Sequence, residues 1–136
     1  LSMEGDEEKN RPMAEEILSE LNLLPFCERH PMSLSGGQQQ RVAIASAIAS
    51  EREIMVFDEP TSGLDFRHME EVAKVLEKLQ QMGKTLFIIT HDPELIEKCC
   101  DYFVFIEKGT ICWHDGWNTQ TEQKLVEFFN LSNRKR

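Results

Sequence analysis

The sequence predicts an α/β fold with a parallel-sheet core, and three observations carry that expectation. Two short apolar runs without polar alternation, Ile54 to Phe57 and Thr85 to Ile89, have the character of strands covered on both faces. Between them Met69, Val72, Val75, Leu76 and Leu79 recur at helical spacing. Finally, each apolar run ends in polar residues, Asp58 and Glu59 after the first and Thr90 and His91 after the second. That places chemistry at the carboxyl edge of the strands, where open α/β sheets bind ligands.

Taken in order, residues 1–11 are polar and acidic and read as a lead-in. Pro12 suits a first helical turn, and Ala14, Ile17, Leu18, Leu21 and Leu24 predict an amphipathic helix over 12–24 that Pro25 stops. Residues 26–32 form a connector in which Cys27 and His30 read as incidental. Ser35 is an N-cap candidate for a helix over 38–50, with Val42, Ala43, Ala45, Ile48 and Ala49 as its small-residue apolar face. After the first strand a helix is expected over 67–82, closed by Gly83 in the left-handed conformation. Asp92 and Pro93 open another helix that reaches about Cys100. Residues 102–106 and 110–113 flank Glu107, Lys108 and Gly109 as a hairpin, and a closing helix is expected over 121–129.

With 136 residues and 40% hydrophobic composition, the chain has the size and character of a soluble globular domain. Its 24 acids and 15 bases leave a net charge of −9, which argues against nucleic acid as a partner; the basic tail 133–136 reads as a solvated end. Four cysteines without C-x-x-C spacing give no zinc or disulfide framework. No apolar run reaches the about 20 residues that cross a bilayer, and the acidic start is unlike a signal peptide, so a cytoplasmic protein is expected.

Ser35, Gly36 and Gly37 at a helix start can bring backbone amides close to an anion, although a Ser-Gly-Gly alone is more often an ordinary cap. Asp58 and Glu59 are suited to separate roles in phosphoryl transfer, one in a metal shell and one orienting water, because successive strand residues point in different directions. His91 would be a plain loop histidine without this context. Together the strings Leu34-Ser35-Gly36-Gly37-Gln38-Gln39-Gln40-Arg41, Asp58-Glu59-Pro60-Thr61-Ser62-Gly63-Leu64-Asp65 and Ile88-Ile89-Thr90-His91-Asp92 are far more specific. In order and spacing they resemble the signature motif, the Walker B strand with D-loop, and the switch segment of ABC ATPases, over roughly residues 12–115. His30, His68 and His114 have no such context and read as surface residues.

The resemblance implies a partial P-loop NTPase fold of the ABC ATPase type, with a helical signature subdomain in 12–50 and the C-terminal part of the ATPase core in 51–136. It implies ATP and Mg²⁺ as cofactors. Glu59 and His91 would be catalytic, and Asp58 would hold Mg²⁺ through water. Ser35, Gly36, Gly37, Gln38 and Asp65 would meet ATP across a head-to-tail dimer with a second cassette. Transmembrane transporter subunits would be the other partners, moved through residues 12–50 at the cytoplasmic face of a membrane. Within the family the resemblance is to energy-coupling-factor ATPases, importers of metal ions or vitamins. One departure matters: the phosphate-binding Gly-x-x-x-x-Gly-Lys-Ser/Thr loop and its upstream strands are missing from this sequence. The expected reading is therefore a C-terminal half, inactive alone and prone to self-association through uncovered strand edges. Alternatives are a natural truncated module lending its signature to a partner, or a soluble ABC protein acting on DNA or translation.

Overall fold

The computed structural model describes residues 7–134, with side-chain surroundings described for 11, 12 and 14–130. Elements run α1 (Glu7–Glu20), α2 (Gly36–Ala49), β1 (Ile54–Asp58), α3 (Phe66–Gln81), β2 (Thr85–Ile89), α4 (Pro93–Cys99), β3 (Tyr102–Glu107), β4 (Thr110–Gly116) and α5 (Thr119–Arg134). They fall into two compact units, Leu1–Asp92 and Pro93–Arg136. The helical portion and the two parallel strands thus share one unit, and the hairpin lies in the other.

In the first unit β1 and β2 pair in parallel, from Ile54 opposite Thr85 to Asp58 opposite Ile89. A helical crossover is the connection such a pair requires, and α3 supplies it. Its stripe of Met69, Val72, Ala73, Val75, Leu76 and Leu79 is buried, as is Met55 and Phe57 on one face of the strand pair. The other face contradicts the expectation of strands covered on both sides. Ile54 and Val56 are 63% and 64% exposed, against 5% for Met55 and Phe57, and Phe87 and Ile89 are also exposed. An apolar run has the same composition whether or not both faces are covered, so its sequence could not reveal this alternation.

Helix boundaries differ for identifiable reasons. The first helix starts at Glu7 rather than Pro12, so Pro12 lies inside it and withholds one N–H from the ladder. The lead-in expected over 1–11 is therefore helical from Glu7, while 1–6 lie outside the described residues. The same helix ends four residues early. Asn22 takes φ 53°, its N–H reaches the Ser19 carbonyl, and the Leu23 N–H reaches back to the Leu18 carbonyl at 2.7 Å. This is a left-handed closure with Asn in the place glycine usually takes, and it buries Leu21 and Leu23. The helix α3 ends in the same manner at Gly83 (φ 83°), with the Lys84 N–H on the Leu79 carbonyl.

Short 3-10 turns at Leu24–Phe26 and Pro31–Ser33 fill the connector. His30 is not incidental there, because its Nδ1 accepts from the Met32 N–H at 3.2 Å. On α2 the buried residues are Arg41, Ile44 and Ala45, while Ala43 and Ala49 of the expected face are exposed. A helix of mostly small residues gives a poor apolar stripe, and a charged side chain decides which side turns inward.

In the second unit, β3 and β4 pair antiparallel around Lys108 (φ 51°) and Gly109 (φ 76°). Two consecutive left-handed residues are what a two-residue hairpin turn demands. Phe103 packs edge-on against Trp117 at 4.7 Å between centroids, and Phe105 against Phe128 of α5 at 6.2 Å. The closing helix is longer than the expected 121–129. The basic tail falls partly beyond the described residues.

Candidate functional site: the carboxyl end of the parallel strands

Asp58 is the last residue of β1 and is exposed. The chain then turns at Glu59, which takes φ 49°, an uncommon conformation for a residue with a Cβ. Both ends of Glu59 are fastened. Its N–H donates to the Ile89 carbonyl at 2.7 Å, and its carbonyl accepts from Gln40 Nε2 at 2.6 Å. That clamp aims the side chain at the loop following β2, and Glu59 Oε1 lies 2.6 Å from His91 Nδ1. The pair is partly open, with Glu59 one-third exposed and His91 about two-thirds exposed. A carboxylate held against an imidazole at a strand edge can position a proton acceptor and orient a water.

Neighbouring residues stiffen this edge. Buried Thr61 donates its hydroxyl to Asp92 Oδ2 at 2.7 Å, and the Asp92 N–H donates to Thr90 Oγ1 at 3.0 Å. The loops after the two strands are thereby tied together. Beside them a shallow groove of about 180 Å³ is lined by Gln40, Ala43, Ala47, Val56, Asp58 and Pro60, among others. A larger open hollow of about 390 Å³ at Ser19, Asn22, Leu24 and Pro25 lies away from these carboxylates and holds no chemistry-bearing cluster.

The start of α2 forms a second cluster. Ser35 Oγ accepts from the Gln38 N–H at 3.2 Å, and Gln38 Oε1 accepts from the Ser35 N–H at 2.9 Å, a reciprocal capping box. Gln38 thus spends its side chain on the cap. Gly36 has open space around the position of a Cβ, whereas a Cβ on Gly37 would meet Leu64 Cδ2 at 3.1 Å. One glycine leaves an approach free; the other lets the loop before α3 lie against the helix. Replacement of Ser35 by Ala is expected to cost about 1 kcal/mol through loss of the cap. A shift in the denaturation midpoint at unchanged m-value checks this, and no shift contradicts it.

Asp65 caps α3, accepting from the His68 N–H at 2.9 Å, and its carboxylate also lies 2.9 Å from His68 Nδ1. The backbone hydrogen bond, aided by the imidazole, holds its carboxyl below the ordinary carboxylate value. Of the residues singled out from sequence, Glu59 and His91 are brought into direct contact with Asp58 adjacent. Ser35, Gly36, Gly37 and Gln38 form their own cluster at a helix start, and Asp65 stands at another.

Two residues of the signature string have roles that the sequence reading did not assign. Gln40 holds the Glu59 carbonyl, which only the fold discloses. Arg41 is 4% exposed, donates from Nη1 to the Leu21 carbonyl at 2.8 Å and lies 3.6 Å from Glu71 Oε2. A helix position followed by apolar residues gave no sign that it would be buried.

Parallel strands joined by a helix, with adjacent carboxylates and a histidine at their carboxyl edge and a capped Ser-Gly-Gly helix start, match part of an ABC ATPase fold. Known proteins agree with that class. Residues 2–62 match the profile described as ABC transporter. The glutamine transport ATP-binding protein GlnQ of Escherichia coli (strain K12) is 42% identical over 130 residues, covering 91% of this chain and 53% of that protein. The arginine transport ATP-binding protein ArtP of the same strain is 38% identical over 117 residues, covering 86% and 48%. Among solved structures, a dimeric bacterial ABC transporter cassette superposes with a TM-score of 0.76 at 32% identity, over 87% of this chain and 51% of that one. A post-hydrolysis state of the same cassette, dimeric with ADP and Pi, gives 0.73.

The chain belongs to the ABC transporter ATP-binding family. It spans about half the length of these two transport relatives. Among the described residues no helix is long and apolar enough to cross a membrane.

Proposed function

We propose that this chain contributes the signature and catalytic-carboxylate halves of the ATP sites of an ABC transporter cassette working at the cytoplasmic face of a membrane. The contact that carries the reading is Glu59 against His91 at 2.6 Å, with Asp58 beside it at the end of β1. In this reading residues 12–50 are the helical portion that meets transmembrane subunits, and 51–136 the C-terminal part of the core. Glu59 orients the attacking water and His91 holds the carboxylate and meets the terminal phosphate. Exposed Asp58 fits Mg²⁺ through water, since that ion keeps much of its hydration and asks for few protein oxygens. When bound, Mg²⁺ would neutralise charge on the phosphates. Ser35, Gly36, Gly37 and Gln38, with Asp65, serve the ATP of a second cassette. The dimeric form of the similar solved cassettes supports that arrangement.

The cargo is the least specified part. The named relatives transport glutamine and arginine, which favours an amino acid over the metal ion or vitamin that the energy-coupling-factor likeness suggested. No phosphate-binding Gly-x-x-x-x-Gly-Lys-Ser/Thr occurs in the given sequence. The 136-residue chain by itself is therefore expected to give no MgATP turnover above buffer, whereas a polypeptide that carries these residues behind such a loop is expected to turn over. Hydrolysis by the isolated chain, or none by the longer polypeptide, contradicts the proposal.

The uncovered strand face has its own consequence. Ile54, Val56, Phe87 and Ile89 present contiguous apolar surface beside unpaired strand edges, and the isolated chain is expected to associate as its concentration rises. Sedimentation should show this, with Val56→Lys shifting it towards monomer. A monomer across the whole concentration range contradicts it.

A further inference from the structure

His91 lies two residues beyond the end of β2 with about two-thirds of its side chain open to solvent, so packing does little to fix its ring. Its Nδ1 nevertheless sits 2.6 Å from Glu59 Oε1. Two ties bracket that contact. On the strand side, the Glu59 N–H reaches the Ile89 carbonyl at 2.7 Å. On the far side, two residues beyond Glu59, the Thr61 hydroxyl reaches Asp92 Oδ2 at 2.7 Å, one residue beyond His91. Between these ties the chain folds over His91 itself, because the Asp92 N–H donates to Thr90 Oγ1 at 3.0 Å.

We propose that Thr61 is a positioning residue for hydrolysis, which acts with Thr90 through Asp92 to set the His91 imidazole against Glu59. This role rests on those proposed above for Glu59 and His91, and it identifies what makes their contact persist. An exposed pair such as Glu59 and His91 is worth little by itself, since water competes for both groups and holding the ring in one rotamer costs entropy. The Thr61 hydroxyl is placed differently. Thr61 is 6% exposed, so water competes little for its proton, and its acceptor is a carboxylate, which makes the bond one of the stronger kind. The weak contact that faces the reaction is thus held by a stronger one behind it.

The arrangement also selects a tautomer. An ionised carboxylate can only accept, so the contact with Glu59 Oε1 places a proton on His91 Nδ1. An imidazole released from Glu59 would divide its proton between the two ring nitrogens. Loss of the Thr61 hydroxyl should therefore be visible at His91 without any catalysis.

Two measurements test the role, one on each form of the protein. In the 136-residue chain, kept dilute enough to remain monomeric, nitrogen-15 spectra in alkaline buffer should show His91 with its proton on Nδ1. Thr61→Val, which keeps the shape of the side chain, should move that signal towards mixed tautomers, and Thr61→Ser should restore it. In the longer polypeptide that carries these residues behind a phosphate-binding loop, Thr61→Val should lower kcat by about 10²-fold, the cost of an ångström-scale misplacement, with KM for ATP changed less than about two-fold. Thr61→Ser should again recover most of the rate, as a hydroxyl at that place is all the role requires. Thr90→Val, at a half-buried position, should shift both measurements in the same direction, and it replaces Thr61→Val where that variant does not fold. His91→Ala separates the two levels of the account. If it leaves kcat unchanged, the role proposed for His91 falls and that of Thr61 falls with it. If it lowers kcat while Thr61→Val leaves either the His91 tautomer or kcat as it was, the role of Thr61 alone is overturned.

Discussion

Substitution of Arg41 by Ala is expected to destabilise the Leu1–Asp92 unit by about 1–3 kcal/mol, because it strips the Leu21 carbonyl of its buried charged donor and removes one of the two cations beside the half-buried Glu71. Arg41 joins three elements: Nη1 holds the Leu21 carbonyl just beyond α1, Nε reaches the Gly37 carbonyl of its own helix at 3.4 Å, and Glu71 of α3 lies 3.6 Å away. The Glu71 side chain is only 14% exposed, and its Oε2 has no hydrogen bond. Its Oε1 keeps the Asn22 amide as a donor and Arg67 at 3.5 Å, although that guanidinium is 80% exposed and screened by water. The loss would be a large fraction of the roughly 5–15 kcal/mol of a typical domain. Urea titration checks it, and a double change of Arg41 to Met and Glu71 to Leu should recover part of the loss. A cost under about 1 kcal/mol would mean that the guanidinium is not the tie between these helices.

The second large effect is on chemistry. In a polypeptide that joins these residues to a phosphate-binding loop, Glu59→Gln is expected to lower kcat by about 10²–10⁴-fold while leaving ATP binding nearly intact. The amide keeps the shape of the side chain and can still meet His91, but it cannot accept a proton from water. Gln40→Leu should produce a smaller fall in kcat by releasing the Glu59 carbonyl, with KM little changed, since Gln40 acts only through the backbone it holds. Equal loss of binding and turnover in Glu59→Gln would assign Glu59 to nucleotide binding instead.

Much of this fold could be read from the chain because local rules and tertiary contacts agree. The strand at 85–89 and the left-handed Gly83 are found as expected, and the α3 stripe is a clean helical repeat whose burial follows from its spacing. Failures arise where a side chain does something its type does not advertise. Asn22 ends a helix as a glycine would, His30 acts as a cap, and Arg41 goes inward because a carbonyl and a carboxylate wait there. The candidate site divides in the same way. Asp58, Glu59 and His91 were identifiable as a motif, but the contact between Glu59 and His91 depends on the parallel register that sets Asp58 beside Ile89. Gln40 was invisible as a clamp for the same reason.

The central claim is that one chain carries parts of two different ATP sites, its Glu59 serving one and its Ser35–Gly36–Gly37 turn serving another. Mixing two inactive variants of the loop-bearing polypeptide tests this most directly. One carries Glu59→Gln. The other carries Gly36→Asp, which has room in its own chain and is favoured at a helix start, yet sets a negative charge against a neighbour's triphosphate. Each alone should be nearly silent in MgATP turnover. Their mixture should recover activity, because in the mixed dimer one site combines an intact Glu59 with an intact glycine turn. A mixture as silent as its components would place both clusters in the same site and contradict the account.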